Sequence, residues 1–566
     1  MITRIENIPL DPDNLEFTQA YEFVKHTDRL VYLTGKAGTG KTTFLKFVRQ
    51  AIQKNTVILA PTGVAAINAG GVTIHSFFQL PFGPFLPHDP RLRASQPGAK
   101  NKNDIRATFR YSEEKRLLIQ KLELLIIDEV SMVRCDTLDI IDKVLRHYRE
   151  KPYQPFGGVQ VILIGDTFQL PPVVNQEQWA ILSQFYKTPF FFSAAVIEEN
   201  KPVYIELKKI YRQNEQAFID LLNRVRVNQT LTEDFSLLNV RYRPDFSGEG
   251  RDYIILATHN QIVNETNLSR LEQLPTRLFT FEATVTGEFP DQLMPTDPLL
   301  QLKAGAQIMF IKNDMEKRYY NGKIGRISEL NTQEITVVFD DGSTVKAEKF
   351  TWENIRYAYH PEKGRIEQEV IGTFEQFPLK LAWAITVHKS QGLTFEKVIA
   401  DLGRAFAPGQ VYVALSRCTS LDGLVLKTQL HPSAIKTDPQ VLKFAQTETP
   451  GTLVVEQLNT GKADFYYKKA REAFHEGAFS ESFAHLLLAL KFRNDLETDT
   501  FMRYVVAQAQ RLSRFRENFP ALSRRLAKKE KELLKAQRII ESLAARARQH
   551  QAAIEHQQAQ NKQLHE

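Results

Sequence analysis

At 566 residues the chain is too long for a single hydrophobic core, and its length predicts roughly three to five domains. Its two cysteines, Cys135 and Cys418, exclude a disulfide framework. No apolar run reaches the roughly 18 residues of a membrane span, and the first residues lack a signal-peptide pattern, so the expected location is the cytoplasm, on the nucleoid if the source is bacterial. The net charge of +7 is concentrated at one end: residues 511–566 carry all of it and the remainder is neutral. Nucleic-acid affinity in the main body therefore has to come from local patches.

The apolar run 30–33 leads into Gly35-Lys36-Ala37-Gly38-Thr39-Gly40-Lys41-Thr42-Thr43. This is the phosphate loop G-x-x-x-x-G-K-[ST], set between a strand and a helix. Its glycines let backbone N–H groups close around phosphates where a Cβ would obstruct them. Lys41 reaches the β- and γ-phosphates as a point charge, and Thr42 offers a hydroxyl to Mg2+. The helix that begins at Thr43 adds a field favourable to anions. A nucleoside triphosphate is the expected ligand.

The next apolar run, 56–60, opens a segment containing Thr62, Gly63, His75 and Phe77. Hydroxyls and N–H groups at a helix start suit phosphates, and the His and aromatic side chains suit stacking on bases. Residues 81–117 break the pattern with proline-rich and polar stretches and predict an inserted subdomain. The runs 122–127 and 159–164 predict buried parallel strands. Asp128 and Glu129 follow the first of these, the one placed for Mg2+ and the other to orient attacking water. Gly165 and Asp166 follow the second and lead to Gln169, whose neutral amide suits a γ-phosphate sensor. The alternation predicts an open α/β domain over about residues 1–200.

A second α/β region is expected from about residue 203, on the runs 203–207, 253–257, 397–401 and 423–426. Between 305 and 377 the hydrophobic period becomes two, with Asp-Gly and Asn-Gly turns, which predicts an inserted small β-barrel. The loop holding His388, Lys389, Ser390, Gln391 and Gly392 brings hydroxyls and cations together. Arg212 and Arg417, outside the first lobe, are candidates for the cations that phosphoryl transfer draws across an interface. If both reach the γ-phosphate, hydrolysis depends on lobe closure.

Past about 450 the chain reads as helical. Residues 463–493 loosely resemble one tetratricopeptide unit, and a helical hairpin packed on a neighbour is the preferred reading, because a lone unit cannot bury its own face. Phe519, Leu526, Leu533, Ile540, Ala547 and Ile554 then recur every seven residues, with Leu522, Ala536 and Leu543 at the complementary position and Lys529 and His550 interrupting it. Two readings of this basic tail stand side by side: a solvated coiled-coil face, or a basic arm that adds electrostatic affinity.

Taken in order, the segments 35–43, 60–78, 125–133, 156–173, 211–213, 256–260, 384–394 and 411–418 resemble the petite-integration-frequency helicases, a family of superfamily 1 DNA helicases moving 5′ to 3′. Ser131-Met-Val-Arg-Cys-Asp-Thr-Leu-Asp-Ile-Ile-Asp142 looks like the family's signature segment. The resemblance implies an α/β chain of two RecA-like parallel-sheet lobes, 1–200 and 201–445. It implies a strand-separating wedge at 81–117 and an SH3-like β-barrel at 305–377 flanking the DNA. A tetratricopeptide-like hairpin at 446–510 and a basic coiled coil at 511–566 would follow, without counterpart in the family core. It implies ATP and Mg2+ as cofactors, with Gln19 on adenine. Lys41, Thr42, Asp128, Glu129, Gln169, Arg212, Gln391 and Arg417 would line the ATP site. Thr62, Gly63, His75, Phe77, His388, Lys389 and Ser390 would face single-stranded DNA. The implied partners are single-stranded and forked or tailed duplex DNA and no membrane; the heptads of the tail separately point to self-association or a protein partner through the coiled coil. The implied settings are DNA repair, replication or recombination, with telomere maintenance at family level only. Two other readings are a DNA-stimulated ATPase switch or scaffold and a RecD-like subunit of a nuclease complex.

Overall fold

The computed structural model describes residues 14–80, 83–86, 109–211, 215–248, 253–314, 316 and 318–563. It divides into two compact units, Met1–Ser482 and Phe483–Glu566.

The first unit begins with a six-stranded parallel sheet ordered Val72–Thr73, Thr56–Ala60, Leu124–Ile127, Gln160–Ile164, Val31–Gly35, Val203–Leu207. Strands 31–35, 124–127 and 160–164 are buried along their whole length, which is why they read as unbroken apolar runs rather than alternating ones. Successive side chains still enter opposite faces: Tyr32, Leu125 and Leu163 join one core, Val31, Leu33 and Ile126 the other. The loops that leave the carboxyl ends of these strands hold Lys36, Asp128 and Asp166 together at one edge of the sheet.

Strand Val203–Leu207 departs from its expected place. It pairs along all five residues with Val31–Gly35, so it closes the first sheet instead of opening the second lobe. A buried apolar strand carries no local mark of which sheet it joins. The second lobe has its own parallel sheet, Ala384–Thr386, Ile254–Ala257, Val398–Asp401, Leu424–Leu426.

The insertion in the second lobe also differs from the expected barrel at 305–377. Five antiparallel strands, Thr344–Ala347, Ile335–Val338, Ile324–Leu330, Gln307–Phe310 and Leu379–Leu381, form one sheet. They share a core with the pair Leu278–Glu282 and Leu299–Lys303, through Phe281, Leu300, Ile308, Phe310 and Val337. The hairpin Phe350–His360 and Arg365–Gln376 stands outside that sheet and pairs with Thr284–Gly287. It reaches the first lobe, where the Ile58 N–H donates to the Tyr357 hydroxyl at 3.2 Å, the Ile366 N–H to Asn55 at 2.7 Å, and Gln368 to the Gly70 carbonyl at 3.0 Å.

The C-terminal boundaries shift as well. Helix Gly451–Glu476 is part of the first lobe rather than half of a separate hairpin domain: Val454 and Leu458 complete the core around Phe17, Phe23 and Phe44. Lys462 pairs with Glu22 at 2.6 Å and Lys468 with Asp28 at 3.2 Å, both on or beside helix Leu15–His26. The second unit is dominated by Asp499–Gln563, a helix of 65 residues, so the expected boundary at 510 falls inside one element. Among the described residues no helix is long and apolar enough to cross a membrane.

The docked helix makes a direct prediction. A Cβ on Gly461 would lie 2.6 Å from the Thr27 methyl carbon. Gly461→Val should therefore destabilise the first unit by about 1–3 kcal/mol, the usual cost of overpacking, read as a lower urea midpoint. An unchanged midpoint would contradict this packing.

Candidate nucleotide and nucleic-acid site

Gly35 ends its strand against the neighbouring edge strand: a Cβ there would lie 2.9 Å from the Leu207 carbonyl oxygen. That close approach is what reserves the position for glycine. The turn is tied by the Thr39 hydroxyl, which donates to the Lys36 carbonyl at 2.9 Å. Gly38 and Gly40 both have positive φ, and helix Lys41–Ala51 starts directly after them. The Lys41 ammonium donates to the Gly35 and Lys36 carbonyls at 2.6 and 3.1 Å, which centres the charge over the loop. Thr42 and Thr43 are exposed on the first turn of the helix.

Asp128 and Glu129 follow the central strand into the same space. The Glu129 N–H donates to an Asp128 carboxylate oxygen at 2.9 Å, and Glu129 itself has a φ of 50°, left-handed backbone unusual for a residue with a Cβ. Burial pushes the Asp128 carboxyl up, and the Glu129 charge adds to it, while Lys41 pulls it back. Burial also raises Glu129, with Lys41 and then Arg417 opposing. Two adjacent carboxyls are thus held in a site that disfavours their charge.

The second lobe closes over this group. Arg417 is 2% exposed, and its guanidinium donates to the carbonyls of Val413 and Leu393 at 3.0 and 3.2 Å and to the Ser416 hydroxyl at 3.1 Å. The Gln391 amide donates to the Gln169 carbonyl oxygen across the lobes at 3.4 Å, with Gly392 exposed beside it. Gln19 lies half-buried on helix Leu15–His26, whose N-cap Asn14 donates to the Tyr211 hydroxyl at 3.2 Å. Arg212 lies outside the described residues.

The sequence reading missed the contact that joins the lobes. Arg226, at the end of helix Gln216–Arg226, pairs with Asp166 and with Glu206, each at 3.0 Å, and lies 4.2 Å over the Phe168 ring. Burial acts to lower this guanidinium, and Asp166, Tyr412 and Glu206 outweigh it, leaving it above its ordinary value. The Tyr412 hydroxyl donates to Asp166 at 3.4 Å and accepts from the Ala37 N–H of the phosphate loop at 3.1 Å. No local pattern marks a lone arginine at a helix end for such a role.

The expected nucleic-acid residues separate into two groups. Thr62 is exposed and caps its helix by accepting from the Ala65 N–H at 3.3 Å, while Gly63 packs against Gln292 and Leu293. His75 and His388 are half-buried, and burial lowers both imidazoles, so they are uncharged at neutral pH. Lys389 is exposed. Phe77 and Ser390 do not fit the expectation. Phe77 is 3% exposed in the main core, edge-on to Phe78 and Tyr357, with the Lys115 ammonium 3.3 Å from its ring centroid. Burial pushes that ammonium down to about 7. Ser390 is fully buried, and its hydroxyl donates to the Val387 carbonyl at 2.8 Å. Both side chains point inward because their short helix or turn has to seal the lobe beneath it.

Two predictions come from this geometry. Phe77→Ala should cost about 3–5 kcal/mol of stability, as core truncations do, whereas a base-stacking side chain would leave the melting temperature unchanged. Folded Asp128 and Glu129 hold protons more tightly than their unfolded counterparts, so ionising them lowers stability as pH rises above about 4. Glu129→Gln should therefore raise the melting temperature at pH 8, a gain that shrinks toward pH 4. Equal melting temperatures for the two proteins at pH 8 would contradict the buried-pair account.

The arrangement has close counterparts. A model of the PIF1-like helicase family matches residues 15–234. The human ATP-dependent DNA helicase PIF1 is 34% identical over 426 residues, which are 74% of this chain and 61% of the human protein, so the chain spans about three-fifths of that relative's length. The crystal structure of Bacteroides sp. Pif1 in complex with ADP-AlF4 is 42% identical and covers 78% of this chain and 97% of its own, with a TM-score of 0.71. The structure of Bacteroides Pif1 bound to ssDNA has the same identity and coverage and a TM-score of 0.54. With an identity above two-fifths across nearly the whole of a solved relative, this chain belongs to the PIF1-like helicase family.

Proposed function

We propose that the chain is an ATP-dependent DNA helicase that moves 5′ to 3′ along single-stranded DNA and separates duplexes at forks or tails. The observation that carries this reading is the convergence of a phosphate loop, an acidic pair and a buried second-lobe arginine on one cleft between two parallel-sheet lobes. The names of its relatives, and the ADP-AlF4 and ssDNA complexes of the Bacteroides protein, support it.

In this reading Lys36, Ala37, Gly38, Thr39 and Thr43 wrap the phosphates with their neighbouring glycines, and Lys41 neutralises them. Gln19 contacts the base. Mg2+ suits the site chemically: Asp128 and Glu129 are adjacent half-buried carboxyls held above their ordinary values, and the Thr42 hydroxyl is exposed on the next turn. Mg2+ habitually takes only one or two protein carboxylates beside phosphate oxygens. When bound it supplies charge to the transferring phosphoryl group. Glu129 orients the attacking water, while Gln169, Gln391 and Arg417 approach the γ-phosphate from the lobe junction; Arg212, the other expected cation, lies outside the described residues. Hydrolysis then alters contacts made by both lobes at once, and Thr62, Gly63, His75, His388 and Lys389 carry that change to a DNA strand. The five-stranded insertion, read as SH3-like, flanks the strand. The wedge role belongs to a segment, 81–117, that lies mostly outside the described residues.

Strand displacement with ATP and Mg2+ on duplexes bearing a 5′ or a 3′ single-stranded tail tests this reading. The expected result is selective opening of the 5′-tailed duplex, abolished by Lys41→Ala. If ssDNA stimulates ATP turnover and neither duplex opens, the chain is a DNA-regulated switch and the helicase reading fails.

A further inference from the structure

On helix Asp499–Gln563 the heptad seam occupies one face, with Leu526 58% and Leu533 69% exposed at successive seam positions. A second pattern runs along the opposite face. Arg524, Lys528, Lys531, Lys535 and Arg538 recur at the spacings i, i+4, i+7, i+11 and i+14, which place them on one side of a helix. At about 100° per residue they fall in an arc about 80° wide, centred about 160° from Leu526. All five side chains are exposed. Glu530 and Glu541 turn toward the seam and Glu532 lies on the flank, so no carboxylate between residues 523 and 541 enters the arc. The stripe extends over about 21 Å of helix axis.

Like charges three or four residues apart repel, and a helix face that is merely solvated relieves this by mixing signs. Here every neighbouring pair in the stripe is cationic, although three acids are available within the same turns. The stripe also supplies five of the thirteen cations in the tail that carries the chain's whole charge excess. Seam and stripe lie on opposite faces, so whatever covers the seam leaves the stripe in solvent, and the two readings of the tail are compatible. Residues 523–541 contain no aromatic side chain, and single-strand binders use aromatics as stacking platforms. A straight row of cations without stacking groups matches the phosphate backbone of a duplex, which presents one negative charge per about 1.7 Å of axis.

We propose that Arg524, Lys528, Lys531, Lys535 and Arg538 form a second nucleic-acid site, apart from the cleft between the lobes, which grips the phosphate backbone of duplex DNA without reading its sequence. It would hold the chain on the duplex while the lobes engage a single strand.

The test uses the full chain and a blunt duplex of random sequence, without ATP, so that its outcome is independent of unwinding. Binding is followed by fluorescence anisotropy as salt is varied. The variant combines Arg524→Gln, Lys528→Gln, Lys531→Gln, Lys535→Gln and Arg538→Gln; glutamine keeps the helix propensity, and circular dichroism checks that the helix persists. The expected result is a slope of log K against log salt flatter by roughly 4, with at least tenfold weaker binding at low salt. ATP turnover stimulated by single-stranded DNA should be unchanged. A comparison variant, Arg511→Gln with Arg525→Gln, removes cations from the flank of the same helix, 100–140° from Arg524 at about 100° per residue, and should have a smaller effect per charge. An unchanged slope would overturn the proposal. So would an equal effect per charge in the two variants, which would mean bulk charge without a site. Loss of binding to phosphatidylserine vesicles with duplex binding retained would assign the stripe to a lipid surface instead.

Discussion

A guanidinium buried between two lobes is the feature on which the rest of the cleft depends. Arg226 comes from the second lobe, yet both of its carboxylate partners, Asp166 and Glu206, belong to the first. Removing one partner from such a buried pair typically costs about 3–5 kcal/mol, because the remaining charge is stranded away from water. The lobes therefore cannot drift apart by small amounts: the pair is made, or the whole junction opens to solvent. Tyr412 extends the junction to the phosphate loop through Ala37, so the same contact that sets lobe spacing also touches the nucleotide-binding turn.

Around that junction the site accumulates features that cost stability. Glu129 holds left-handed backbone, two half-buried carboxyls sit side by side, and Arg417 is satisfied by carbonyls and a hydroxyl. Each would be unfavourable in an ordinary core. Together they make a polar cluster whose charges are held in place by the fold, the arrangement in which electrostatic stabilisation needs no reorganisation. The surrounding apolar sheet holds them in place, since strands 31–35, 124–127 and 160–164 are buried from end to end.

Local structure was legible where one short segment carries its own steric demand. The turn 35–43 was legible as a strand-to-helix loop because its glycines answer a steric demand made within nine residues, and the placement of Asp128 and Glu129 because they end an apolar run. What depends on distant parts of the chain was not legible. Strand Val203–Leu207 has the same apolar character whichever sheet it joins. Phe77 and Ser390 look like ligand-facing residues in sequence, but the direction of a side chain on a five-residue helix or a turn is set by what lies beneath it. Arg226 gives no sign in its own helix, since its partners come from two other elements. The hairpin Phe350–Gln376 alternates as barrel strands do, and only its contacts at Ile58, Asn55 and Gly70 show that it serves the first lobe.

The central proposal is that hydrolysis is completed by a residue from the second lobe. Single-turnover ATP hydrolysis by Arg417→Ala, in parallel with nucleotide-binding affinity, tests it most directly. The account predicts a fall in the hydrolysis rate of on the order of 10³-fold, as for arginines that stabilise phosphoryl transfer in trans, with affinity nearly unchanged. A hydrolysis rate equal to that of the wild-type chain would place the chemistry wholly within the first lobe and contradict the account.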